Sequence, residues 1–173
     1  MSEIKICLHP GKIIKMKNRL ALYITLIISV AAQLLALKYF RVFPDLALMI
    51  AVFSGMFFGP FEGVVVGLFS GFLRSCFSSG TMAVDMVTFS LSAYASSIFS
   101  LMFYKRNLLF HVVSVMASAF LVFFAQALYL RYLYGVDISL ASVLTETRGQ
   151  VFLSALTAPF IFPIWALILR VEE

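Results

Sequence analysis

Histidine and cysteine are nearly absent from this chain, with two of each in 173 residues. Cys7 lies in a basic N-terminal segment and Cys76 in or near an apolar one, so they suggest neither a disulfide framework nor a metal-ligand set. His9 and His111 are far apart, with no acidic or cysteine cluster around them. H-E-x-x-H, G-x-S-x-G and P-loop patterns are all missing. No catalytic set remains, and the expectation is a protein that is not an enzyme, with no cofactor and no metal. Charge is scarce as well: 12% of residues are charged, against about a quarter in soluble domains. That excludes a soluble globular domain.

What is abundant is apolar surface. The chain is 62% hydrophobic, with a mean hydropathy of +1.03. The expected fold class is all-α, a polytopic membrane bundle of about six transmembrane helices. Net charge is +5, but the basic residues sit at the ends of apolar segments. They suit membrane lipid headgroups and topology control, and nucleic acid is not expected as a partner.

Along the chain, residues 1–19 form a basic N-terminal tail with Lys5, Lys12, Lys15, Lys17 and Arg19, and residues 20–170 form a single transmembrane domain. Leu20 to Leu37 is too long for a signal-peptide core, and no A-x-A-like site precedes Lys38. It reads as the first membrane helix, with Gln33 as its one strongly polar member. Pro44-Asp45 opens a second helix over 46–58, short enough that five full spans are an alternative to six. A third runs over 60–77, a fourth over 83–103, and a fifth over 108–130 with His111 and Gln126 near its ends. The polar stretch 135–149 is expected to hold a short surface helix. The sixth membrane helix is expected from Gln150 to Leu169, bent at Pro159 and Pro163. Basic residues are more numerous on the side of the termini, which predicts both ends in the cytoplasm.

The stretch GMFFGPFEGVVVGLFSGFLRSCFSSG, residues 55–80, concentrates the features that could form an interface. Gly55, Gly59, Gly63, Gly67 and Gly71 recur every four residues, and Gly59-Pro60 marks a join between two helices. The ridge could seat a helix of the same chain or of a partner. Glu62, Arg74 and Asp85 are the charged candidates. Asp45, Glu62 and Asp85 fall at helix starts, where the helix dipole accounts for them, with a contact to another subunit as the alternative. Arg74 is expected to snorkel to the surface, or else to pair with Asp85.

Taken together, Pro44-Asp45, Gly59-Pro60, Glu62-Gly63, Gly67, Gly71, the Ser79-Gly80 turn and Tyr94, with Pro159, Pro163 and Arg170 near the end, resemble the MreD family of bacterial rod-shape-determining membrane proteins. The resemblance departs at Ser75, where an acid is usual, and at Ala83 and Asp85. It implies a fold similar to the S components of energy-coupling-factor transporters. It also implies a non-catalytic subunit of the cell-wall elongation complex in the bacterial cytoplasmic membrane. The partners it implies are an MreC-like single-span protein and, through it, MreB, RodA and a class B penicillin-binding protein, with a homodimer left open. The alternative is a vitamin-binding S component, whose ligand groups on the outer side would be Arg74, Asp85, Glu146 and Arg148.

Overall fold

The computed structural model describes residues 16–39, 42–77, 82–102, 108–135 and 140–169, so the basic tail before Met16 lies outside the described residues. The chain is all-helical there: α1 (Met16–Tyr39), α2 (Leu46–Phe58), α3 (Pro60–Phe77), α4 (Met82–Met102), α5 (Leu108–Tyr134) and α6 (Leu140–Ile168). Four of them, α1, α4, α5 and α6, are long and apolar enough to cross a membrane. The chain is a multi-pass membrane protein.

The helix boundaries have local causes. Asp45 caps α2, its side chain accepting a hydrogen bond from the Leu48 N–H. α2 ends at Gly59, whose φ of +99° is open to glycine and strained for other residues. Pro60 follows as the first residue of α3, where its missing N–H has no helical partner to lose. The Gly63 N–H donating to the Gly59 carbonyl at 2.9 Å then closes the first turn of α3.

α2 is the centre of the bundle. Its sequence, LALMIAVFSGMFF, is apolar on every side and carries no charge, the pattern of a helix buried all round. Residues 47–56 are all buried. α2 packs against each of the other five helices, which surround it in the order α1, α3, α4, α5, α6. Among the described residues, the backbones of α1 and α6 do not meet, so this circle stays open at one seam. The large exposed apolar side chains, such as Ile27, Phe69, Leu101, Phe124 and Leu167, all belong to the outer helices or their connections. Phe53 anchors the interior, with ring centroids 4.6 Å from Phe57, 5.5 Å from Phe162 and 5.7 Å from Trp165.

The sixth helix departs from expectation. A separate surface helix within 135–149 is not formed, because α6 runs unbroken from Leu140 through Gly149 to Ile168. The helical reading of this stretch holds, but it runs on into the membrane segment, since no proline interrupts 140–158 and one glycine costs a helix only about 1 kcal/mol. Pro159 and Pro163 lie inside the helix without ending it.

Because α2 is enclosed by five neighbours, its backbone should open only when the bundle opens. Hydrogen exchange in micelles is expected to be slowest over residues 47–56, slower than in the equally apolar middle of α1. Equal rates would contradict the central placement.

Candidate functional site

The polar groups buried in this apolar bundle converge at one end, where α1, α3 and α5 finish and α2, α4 and α6 come in. Asp45 stands at the start of α2. Its backbone N–H donates to Ser154 Oγ of α6 at 2.8 Å, and its Oδ1 accepts from the Leu48 N–H at 3.1 Å. Gln33 of α1 reaches the same helix start, its Oε1 accepting from the Ala47 N–H at 3.2 Å. Two of the free N–H groups that every helix start carries are thus satisfied by side chains.

Arg74, near the end of α3, joins this helix start to α4. Its Nη2 lies 3.3 Å from Asp45 Oδ2, and its Nη1 lies 3.4 Å from Asp85 Oδ1. Both distances exceed the roughly 2.7–2.9 Å of a tight charge-assisted bond, as befits one guanidinium shared between two carboxylates. Its carbon centre lies 5.3 Å from the ring centroid of Phe89, a cation–π arrangement. Asp85 has further donors: Ser75 Oγ at 2.8 Å and, from α5, Gln126 Nε2 at 2.6 Å. Each of the six helices therefore contributes to one hub. Its charges are two carboxylates and one guanidinium, all largely removed from solvent. The three ionic groups can be tolerated at this depth because each has a partner.

The other charged candidate lies at the opposite end. Glu62, in the first turn of α3, accepts an ion pair from Arg19 of α1 at 2.6 Å. His111 is buried between Phe57 and Phe162, with ring centroids 6.4 and 5.1 Å away. Among the described residues, no group of His, Cys, Asp and Glu is placed to hold a metal ion.

The glycine ridge faces inward. A Cβ on Gly67 would lie 2.7 Å from Ser90 Cα, and one on Gly71 would lie 2.6 Å from the Asp85 carbonyl oxygen, both on α4. One on Gly63 would lie 2.7 Å from Gly55 Cα of α2, and Gly55 itself presses on the Ala93 carbonyl of α4. Backbone meets backbone along the whole ridge, so the surface that could have seated a partner helix is taken by α2 and α4 of the same chain. Gly59 stands apart from the ridge, in open space at the α2–α3 join.

Two expectations need correction. Arg74 does not snorkel to the surface: its side chain is 15% exposed and turned onto Asp45 and Asp85. The helix dipole alone does not account for Asp85, whose carboxylate is held by Arg74, Ser75 and Gln126. Asp45, Gln126, Ser75, Gln33 and Ser154 were not among the candidate site residues. Gln33 and Gln126 carried a readable signal, since an amide inside an apolar run needs a partner; Ser154 and Ser75 carried none.

Residues 4–148 match the family designated 5TM-5TMR_LYT, described as 5TMR of 5TMR-LYT. This chain belongs to that family. The match takes in α1 to α5 and the first turns of α6, and the family is one of polytopic membrane helix bundles. It overturns the resemblance to MreD, since the matching family is a different one. No curated protein sequence and no solved structure matches the chain significantly.

Two substitution sets probe this site. Gly67→Ala must push α3 from α4 and should cost about 1–3 kcal/mol. Gly149→Ala would place its Cβ 3.5 Å from a Val42 methyl, an ordinary contact, and should leave stability unchanged or raise it by up to about 1 kcal/mol, the helix cost of a glycine. Reversible unfolding in mixed micelles reads both. In the same assay Arg74→Met should cost about 3–5 kcal/mol by leaving two buried carboxylates without a cation. Adding Asp45→Asn and Asp85→Asn should restore most of that loss; no recovery would mean that Arg74 acts through packing alone.

Proposed function

We propose that the chain is a non-catalytic membrane subunit that works by engaging another membrane protein. The observation that carries this reading is the inward commitment of its chemistry. Arg74, Asp45, Asp85 and Gln126 are turned onto one another, and the glycine ridge is closed by α4. What the chain offers outward is the apolar surface of its five outer helices. α1 borders the open seam of the circle and packs against α2 and α3 alone among the described helices. Its outer face presents Leu20, Ile24, Ile27, Ile28 and Leu35, each exposed. A partner's transmembrane helix laid along this stripe is the contact we favour. The basic bias of the N-terminal segment supports placing both chain ends on the cytoplasmic side of a cell membrane.

The vitamin-binding alternative finds less support. It needs polar side chains free to meet a ligand, whereas Arg74 and Asp85 are spent on each other.

Photo-crosslinking residues placed at Ile24 and Ile28 in native membranes, followed by purification and mass spectrometry, test the proposal. A single recurrent protein adduct at α1, missing from the same label at Leu101 of α4, is the expected result. Adducts to lipid alone at every outer helix would overturn it. Adducts to a second copy of this chain would replace the foreign partner with a homodimer.

A further inference from the structure

Independently of that reading, the hub fixes the relative heights of α1, α5 and α6. Gln33, Gln126 and Ser154 all join it, so they lie at about the same depth. Beyond the hub, toward the end where α1 and α5 finish, each of these helices carries a cation. Lys38 is five residues past Gln33, Arg131 is five past Gln126, and Arg148 is six before Ser154. At the helical rise these offsets amount to about 8–9 Å each. Arg131 and Arg148 therefore sit at one height on two helices that pack against each other.

Their electrostatic situation differs from that of the other described arginines. Arg19 and Arg74 each face a carboxylate. Arg131 and Arg148 are exposed and form no ion pair among the described residues. Like charges at one height on adjacent helices repel, and an anion bound between them would relieve that repulsion.

Below each arginine runs an exposed apolar stripe. Arg131, Leu128 and Phe124 are three and four residues apart, and Arg148, Phe152 and Leu156 are four apart, so each set shares a helix face. Leu128, Phe124, Phe152 and Leu156 are all exposed, Phe152 at 68%. Each cation thus heads an exposed apolar stripe on its own helix, at one height on two helices that pack together. We infer that Arg131 and Arg148 bind the phosphate of an anionic phospholipid, whose acyl chains lie along α5 and α6 beneath them.

The test reconstitutes the full chain in nanodiscs of mixed phosphatidylglycerol and phosphatidylcholine, then counts the lipids retained in native mass spectrometry. The wild-type protein should retain phosphatidylglycerol in preference to phosphatidylcholine. Arg131→Gln and Arg148→Gln should each reduce that preference by about fivefold, and the double variant should abolish it. Both side chains are exposed, so circular dichroism should show an unchanged fold. Lys38→Gln serves as the control, because α1 does not pack against α5 or α6; its preference should stay at the wild-type level. An equal loss in Lys38→Gln would overturn the site in favour of a diffuse cationic belt. So would the absence of any preference in the wild type, or an undiminished preference in the double variant.

Discussion

One guanidinium serving two buried carboxylates is the constraint on which this bundle depends. Asp45 begins the central helix and Asp85 sits in the first turn of its neighbour, and neither can be left bare in an apolar interior. Arg74 meets both only if α3 ends between the starts of α2 and α4. That requirement sets the lengths of the α2–α3 pair and the height of α4 against them. Gln126 and Ser154 then bring α5 and α6 to the same level. Lipid is as apolar as leucine, so burial of hydrocarbon does little to choose among helix arrangements. Polar pairs and backbone contacts have to make that choice, and here they do so at one end and along one ridge.

The glycines supply the second half of the choice. Gly63, Gly67 and Gly71 allow α3 to approach α2 and α4 until backbone touches backbone. At that distance the Ser90 hydroxyl of α4 donates to the Val64 carbonyl of α3. A larger side chain at the ridge would part the helices, lengthen the reach from Arg74 to Asp85 and loosen the hub. Ridge and hub are therefore coupled through α3, although they differ entirely in chemistry.

Much of the fold was legible in the residues. Pro44-Asp45 and Gly59-Pro60 are strong local punctuation, and α2 and α3 begin and end where they indicate. A helix within 135–149 was legible, but its continuity with the last membrane helix was not, because a change from polar to apolar composition near Gln150 looks the same whether or not the helix breaks there. The hub was only half visible. The charges could be named, but Asp45 and Arg74 are distant in sequence and meet only because α2 lies at the centre. The resemblance to MreD misled for a related reason. Helix-opening Pro-Asp, a Gly-Pro join and glycines four apart are what small membrane bundles need in order to pack. Such residues report the physics of close helix contact more faithfully than they report descent.

The enclosure of α2 has a consequence for how the chain is made. At 13 residues, or about 20 Å, it is shorter than a hydrocarbon core of about 30 Å. It therefore enters the bilayer most readily as one arm of a hairpin with α3. Its far side is covered by α5 and α6, which emerge from the ribosome later. Until they arrive, the side of the most apolar helix that they will cover faces lipid. Assembly is thus completed from the C-terminal half, and a synthesis arrest after α4 would leave the centre of the protein as its exposed flank.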